Sequence, residues 1–345
     1  MKESSELPGV GKFEIYTLEG KSGIRARISE LGACVLSLEV KDCNGLMRDV
    51  VLGHGDMKGY LDNGSAHGAV VGRVANRIGG CSYTLNGKKY TLENNDSGNT
   101  LHGGFTRWFE KKWETVESGE NFIVLKYESP DMEQGFPGNM SVTVRYDLTE
   151  NNSLKITYNA VSDKDTLFNI TNHTYFNLSG NLEKSIRNHK LQIESDTFTP
   201  TDAHLIPTGE LRKVFGTPLD FTALKEIGRD IESNYEPIVL AGGYDHNFAL
   251  GDDGEFKKAA RLICPETGIS VTVYTDMPGI QVYTGNYLND EGKGGIHYGR
   301  NAGVALETQF FPDAINHAGF KQPVLKAGEK FASCTEYIFE SSNIR

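Results

Sequence analysis

The chain has 345 residues and sets 35 Lys+Arg against 46 Asp+Glu, a formal charge of −11. Hydrophobic residues at 38% and charged residues at 23% are the composition of a soluble globular protein long enough to bury a large core. The acidic balance argues against nucleic acid or an anionic membrane as partner, because phosphate contacts need clustered Lys and Arg, and the densest clusters here are pairs such as Lys111–Lys112.

The first residues, Met1–Val10, contain no apolar leader core, and no stretch approaches the ~18 apolar residues of a membrane span. Residues 1–11 are expected to form a flexible N-terminus. Gly20-Lys21-Ser22 ends like a phosphate-binding loop, but Ile15 stands where its first glycine belongs. Gly72-Arg-Val-Ala-Asn76-Arg77-Ile78 sets two arginines and an amide beside glycine, a cluster of directional N–H donors suited to hydroxyl oxygens. Tyr83–Leu85, Asn86-Gly87 and Lys88–Leu92 predict a β-hairpin, since Asn-Gly tolerates the positive φ of a tight primed turn. In Asn99-Thr-Leu-His102-Gly-Gly104 a histidine precedes two glycines, which let backbone approach a ligand closely.

Strict alternation over Met140–Leu148, repeated in Leu154–Tyr158 and Ile269–Val273, predicts strands with one buried face. In Thr171-Asn-His173-Thr-Tyr175-Phe-Asn177-Leu178, imidazole, phenol and amide would share one face of a strand, a poor core and a good sugar-binding wall. Phe221, Leu224, Ile227 and Ile231 follow a 3–4 spacing after Asp220 and predict a short capped helix. Gly242-Gly-Tyr-Asp245-His-Asn-Phe248 places an acid among glycine and aromatic residues, and Met277-Pro-Gly-Ile-Gln281-Val-Tyr283 adds an amide and a ring. Glu291–Gly295 reads as a flexible loop between strands. In Ala305-Leu-Glu307-Thr-Gln309-Phe-Phe, a carboxylate on an otherwise apolar strand is placed to have the raised pKa of a general base.

The expected fold is all-β: one large sandwich of mostly antiparallel strands spanning 1–345, with few short helices. Five cysteines without a C-x-x-C pair leave one unpaired in any disulfide scheme, so reduced thiols and a cytoplasmic setting are expected. No H-x-H or H-E-x-x-H occurs among the nine histidines, so no metal site is expected.

Taken in order, GRVANRI, LHGG, NHTYFNLSG, YDHNF, PGIQVYTGN and ALETQFFPDA closely resemble the segments of the aldose 1-epimerase (galactose mutarotase) family, from about Lys12 to about Phe339. The resemblance implies a large β-sandwich, no cofactor, and interconversion of the α and β anomers of a free aldohexose, notably galactose or glucose. It implies Glu307 as the proton acceptor at the C1 hydroxyl, His173 as the proton donor to the ring oxygen, and His102 as a second histidine near both. Asn76, Arg77, Tyr175, Asp245 and Gln281 match residues that hold the sugar, while Arg73 supports its loop. A monomer or weak homodimer is expected. Two positions depart from the pattern: Val282 and His67 stand where relatives often carry an aromatic residue, which puts one expected stacking wall, at Val282, in question and bears on the preference among galactose, glucose and other aldoses. The competing readings are a non-catalytic sugar-binding module, a glycoside hydrolase using Asp245 and Glu307, and a hexose-6-phosphate epimerase with a basic clamp.

Overall fold

Alternating sequences fold as strands only where a second sheet covers their apolar side, and two sheets here do this for each other. The computed structural model describes residues 1–62, 64–251 and 253–342. Nine strands form the larger sheet in the order Glu114–Ser118, Phe122–Ser129, Met140–Leu148, Ser153–Ser162, Lys330–Ser341, Ile269–Thr275, Lys257–Ile263, Lys190–Ile193 and Lys225–Glu226. Met140–Leu148 alternates buried and half-buried residues along its whole length, as its sequence predicts. A six-stranded sheet runs Tyr175–Phe176, Val304–Gln309, Gly279–Tyr283, Asp245–Ala249, Thr197–Phe198 and Arg212–Lys213. Every strand pairing in both sheets is antiparallel.

The core lies between the sheets. Val282, Val304 and Leu306 of the smaller sheet join Val271, Val273, Tyr337 and Phe339 of the larger in one buried cluster, and the Tyr337 hydroxyl donates to Leu306 O at 3.0 Å. The opposite face of the smaller sheet carries Asp245, Gln281 and Glu307 on neighbouring strands: the register sets Gln281 directly opposite Glu307, with Asp245 diagonal to it, opposite Tyr283. Strand alternation thus puts the core and the polar face back to back.

A five-stranded sheet, Lys2–Leu7, Gly11–Glu19, Arg25–Ser29, Val35–Lys41 and Met47–Asp49, completes the main architecture. Its first strand corrects the expectation of a flexible N-terminus: Lys2–Leu7 pairs over six residues with Gly11–Tyr16, and the Ser4 hydroxyl donates to Glu14. Backbone ladder bonds order a polar segment that has little apolar surface to bury. The Asn86-Gly87 hairpin forms as expected, with φ of 51° and 76° at its two turn residues.

Of the helix expected after Asp220, a single 3-10 turn, Ile227–Arg229, is all that forms. The Asp220 carboxylate instead accepts from Thr222 N and Oγ1, and Lys225–Glu226 adds to the edge of the large sheet. Phe221, Ile227 and Ile231 are buried as the pattern requires, but Leu224 is 43% exposed, so sheet pairing overrides the local period. Among the described residues the α-helices are two short ones, Met57–Leu61 and Glu236–Ala241. The second starts with Pro at its first turn, ends at Gly242 in the left-handed region, and delivers the chain into the Asp245 strand. Among the described residues no helix is long and apolar enough to cross a membrane.

Candidate active site

Residues scattered over the sequence meet at one cavity of about 320 Å³, lined by Asn76, Arg77, His102, His173, Tyr175, Asp245, Tyr283, Tyr287 and Glu307 together with Gly64, Ser65, Ala66, Leu101 and Leu288. That volume lies at the small end of the ~300–1,000 Å³ of small-molecule sites. Of the expected site residues only Gln281 stays off the surface of the cavity. It is buried beneath Asp245 and donates Nε2 to Asp245 Oδ1 at 2.6 Å, so it positions the carboxylate.

The first two motifs lock together. Arg77–Ile78 pairs with Thr100–Leu101, His102 N donates to Asn76 O, and Asn76 N donates to His102 Nδ1 at 3.1 Å. With Nδ1 accepting a backbone N–H, the ring proton of His102 resides on Nε2. Burial, followed by the charges of His173, Arg77 and Arg107, pushes the His102 imidazolium well below the ordinary histidine range. Gly103 serves local geometry: its φ is 87°, and a Cβ would fall 2.3 Å from Gln134 Nε2. The glycine therefore admits Gln134, and not a ligand as its sequence context suggests. Arg77 Nε sits 2.7 Å from Asp96 Oδ2, and its Nη1 lies 3.8 Å from Asp245 Oδ2. Arg73, by contrast, is fully buried, and its guanidinium donates to the carbonyls of Phe136, Pro137 and Gly138. It supports the loop, as expected.

The NHTYFNL segment is not one strand. Thr171–Asn172 pairs with Val70–Val71, Tyr175–Phe176 pairs with Val304–Ala305, and His173 sits between the two ladders. His173 and Tyr175 both reach the cavity, but Asn177 does not: its amide donates to Lys184 O and Ala302 O. The shared face predicted for the three side chains fails at Asn177 because the chain changes partners twice.

Glu307 projects from Val304–Gln309, between the Tyr175 and Gln281 strands, with 2% exposure, and its Oε1 lies 3.6 Å from His173 Nε2. Burial, then the nearby Asp245 charge, raises its carboxyl well above the usual range, against the opposing pull of Arg77. Burial pushes His173 down to about 4. The His173 ring also packs against Tyr175 at 4.8 Å and edge-on against His102 at 5.5 Å between centroids. Buried side by side, the acid and the imidazole can exchange protons with a molecule in the cavity.

Neither departure opens the expected gap. Val282 points into the core, on the face opposite Gln281 and Tyr283, so it never lines the pocket. His67 is fully buried behind the wall, where its ring packs 4.9 Å from that of Tyr175. Alternation decides the first and the turn before Gly68 the second. Ser65 and Tyr287 were not anticipated as site residues, and Tyr283 only as a nearby ring. Tyr287 is 67% exposed at the mouth, in a loop with no periodic signal.

The geometry disfavours the competing chemistries. Asp245 is engaged by Gln281 and Arg77, which leaves it poorly placed as a hydrolase acid. Among the described residues the cavity wall holds one cation, Arg77, which faces two carboxylates and so makes no phosphate clamp. Among the described residues no group of three or more His, Cys, Asp or Glu is arranged to hold a metal.

Residues 14–337 match the family model for aldose 1-epimerase. The chain is 40% identical to galactose mutarotase of Bos taurus over 337 residues, 97% of this chain and 96% of that protein. It is 37% identical to aldose 1-epimerase of Escherichia coli K12 over 331 residues, 95% of each. Its fold superposes with a TM-score of 0.89 on an aldose epimerase homologue from C. elegans, at 29% identity, covering 96% of this chain and all of the other. A galactose 1-epimerase from Lactobacillus acidophilus gives 0.86 at 28% identity, covering 99% of this chain and 98% of the other.

Proposed function

The chain belongs to the aldose 1-epimerase family, isomerases that interconvert the anomers of sugars, and from that premise we propose the residues that carry the reaction and the sugars it takes. Glu307 is the base that removes the proton from O1 of a free aldohexose, galactose or glucose, and His173 is the acid that protonates the ring oxygen. The C1–O5 bond breaks, C1–O1 becomes the aldehyde, and rotation about C1–C2 presents the other carbonyl face. On reclosure neutral His173 takes the proton back from O5 while the Glu307 acid returns one to O1.

The observation that carries this reading is the buried 3.6 Å apposition of Glu307 and His173. Before the step the pair is a carboxylate and an imidazolium; after it both are neutral. Burial raises the Glu307 carboxyl and lowers His173, so it favours the neutral pair, and proton transfer to and from the sugar relieves two buried charges. Balanced against that, the Coulomb attraction within the pair keeps the charged state accessible for the attack. His102, its ring proton on Nε2, donates a hydrogen bond to the sugar and does not titrate. Asn76, Arg77 and Asp245, the last braced by Gln281, hold the remaining hydroxyls, and Tyr175 supplies an apolar wall.

The chain acts as one β-sandwich unit, monomeric or weakly dimeric, in the cytoplasm, a setting in keeping with five free thiols. Polarimetry of freshly dissolved α-galactose, at low buffer concentration to limit background catalysis, tests the activity. A decay of rotation no faster than without protein overturns the reading.

A further inference from the structure

Ser65 faces the cavity from a loop that is tied to another segment through a carboxylate. Its hydroxyl donates to Asp290 Oδ2 at 2.6 Å, and His67 Nε2 lies 3.0 Å from the same oxygen. Asp290 belongs to the short strand Asp290–Glu291, paired with His297–Tyr298, so this contact joins two segments that share no ladder. His67 is fully buried and wedged between rings, 4.9 Å from Tyr175 and 5.8 Å from Tyr298. Burial alone would raise the Asp290 carboxyl, but the hydrogen bonds from His67 and Ser65 outweigh it and hold it below its usual value. Asp290 is therefore an ionised acceptor that accepts a hydrogen bond from each neighbour.

A serine hydroxyl has one proton and two lone pairs. With the proton committed to Asp290, Ser65 Oγ can only accept from whatever occupies the cavity. Resting on the assignment of this cavity as the sugar site, we propose that Ser65 is a specificity residue accepting a hydrogen bond from one sugar hydroxyl away from C1, with Asp290 and His67 as positioning residues that fix its polarity. The class of ligand selected is a polyol ring carrying a donating hydroxyl at that point. A sugar lacking it, or carrying a methyl ether there, loses the contact and faces an unsatisfied oxygen.

The His67 ring makes the arrangement rigid. It packs on Tyr175 on one side and bonds Asp290 on the other, so the imidazole couples the loop to a cavity wall. An aromatic hydrocarbon in its place would keep the packing and lose the bond.

The test measures kcat and KM of wild type, Ser65→Ala and Asp290→Ala with galactose and with its 2-, 3-, 4- and 6-deoxy analogues. Wild-type turnover of galactose establishes the site first; its absence would overturn the sugar-site assignment and this inference with it, whereas turnover with the wrong analogue pattern overturns this inference alone. With activity present, Ser65→Ala should raise KM for galactose about 3–10-fold, the worth of one hydrogen bond, with kcat retained. For one deoxy analogue, the same substitution should change KM by less than about 2-fold, because the contact is already missing. Asp290→Ala should raise KM for the same sugars and spare the same analogue. An equal effect of Ser65→Ala on galactose and all four analogues, or no effect on KM at all, overturns the inference, since a merely structural role of the loop would not distinguish the hydroxyls.

Discussion

Replacing Glu307 by Gln should move activity and stability in opposite directions. The carboxyl is 2% exposed on the polar face of the smaller sheet, and burial reinforced by Asp245 holds it well above the usual range. In the unfolded chain a glutamate titrates near ~4.3. Between that pH and the folded value, the folded state keeps a proton that the unfolded state has lost. Stability then falls as pH rises through the window, by up to about 1.4 kcal/mol per pH unit, and stays lowered above it. Gln has nearly the same shape and no charge at any pH, so Glu307→Gln escapes that cost. Its Tm should exceed that of the wild type at neutral pH, by about 1–2 °C for each kcal/mol recovered in a chain of 345 residues. The two should converge below about pH 4, where the glutamate is protonated in both states. Catalysis loses the base, a factor of ~10²–10⁴. Calorimetry across pH and polarimetry on the same preparations read both effects. A variant that retains more than about a tenth of the wild-type rate shows that Glu307 is not the base. A Tm difference that persists unchanged into acid shows that the buried charge is not what the substitution removes.

The two histidines should separate kinetically: His173→Asn lowers kcat and kcat/KM together, whereas His102→Asn, which keeps a donor, acts more on KM, and the opposite pattern reverses their roles. Burial pushes His189 down to about 3 while its Nε2 accepts from Leu178 N, so the unfolded state binds a proton that the folded state refuses below about pH 6.5. Stability should therefore fall as pH drops through that window, and His189→Gln should flatten the fall by up to about 1.4 kcal/mol per pH unit in denaturant titrations. Val282→Phe should lower stability by about 1–3 kcal/mol through overpacking, without lowering KM, because the side chain points into the core. Activity should survive exhaustive chelation; loss that one added metal restores would displace the acid–base mechanism.

Much of this protein is written in local pattern. Alternation in Met140–Leu148 reports a strand because successive side chains take opposite faces whatever lies beyond them, and Asn86-Gly87 reports a turn because few residue pairs tolerate its backbone. The chemistry-bearing segments were likewise visible, since imidazole, carboxylate and amide among apolar and glycine residues have little structural purpose. Tertiary structure decided what those segments do for one another. Whether Val282 or Gln281 faces the core depends on which side of its strand the nine-stranded sheet covers. The spacing of Phe221 to Ile231 fits a helix, yet the open edge beside Lys190–Ile193 claimed that backbone. Asn177 leaves the predicted sugar wall because its side chain is claimed by the carbonyls of Lys184 and Ala302, just past the short Tyr175–Phe176 ladder. The proton affinities of Glu307 and His173 arise from desolvation by segments remote in the chain, as does the tie of Ser65 to Asp290. Backbone conformation is a near-neighbour property that sequence can carry, whereas burial and its electrostatics belong to the assembled three-dimensional surroundings.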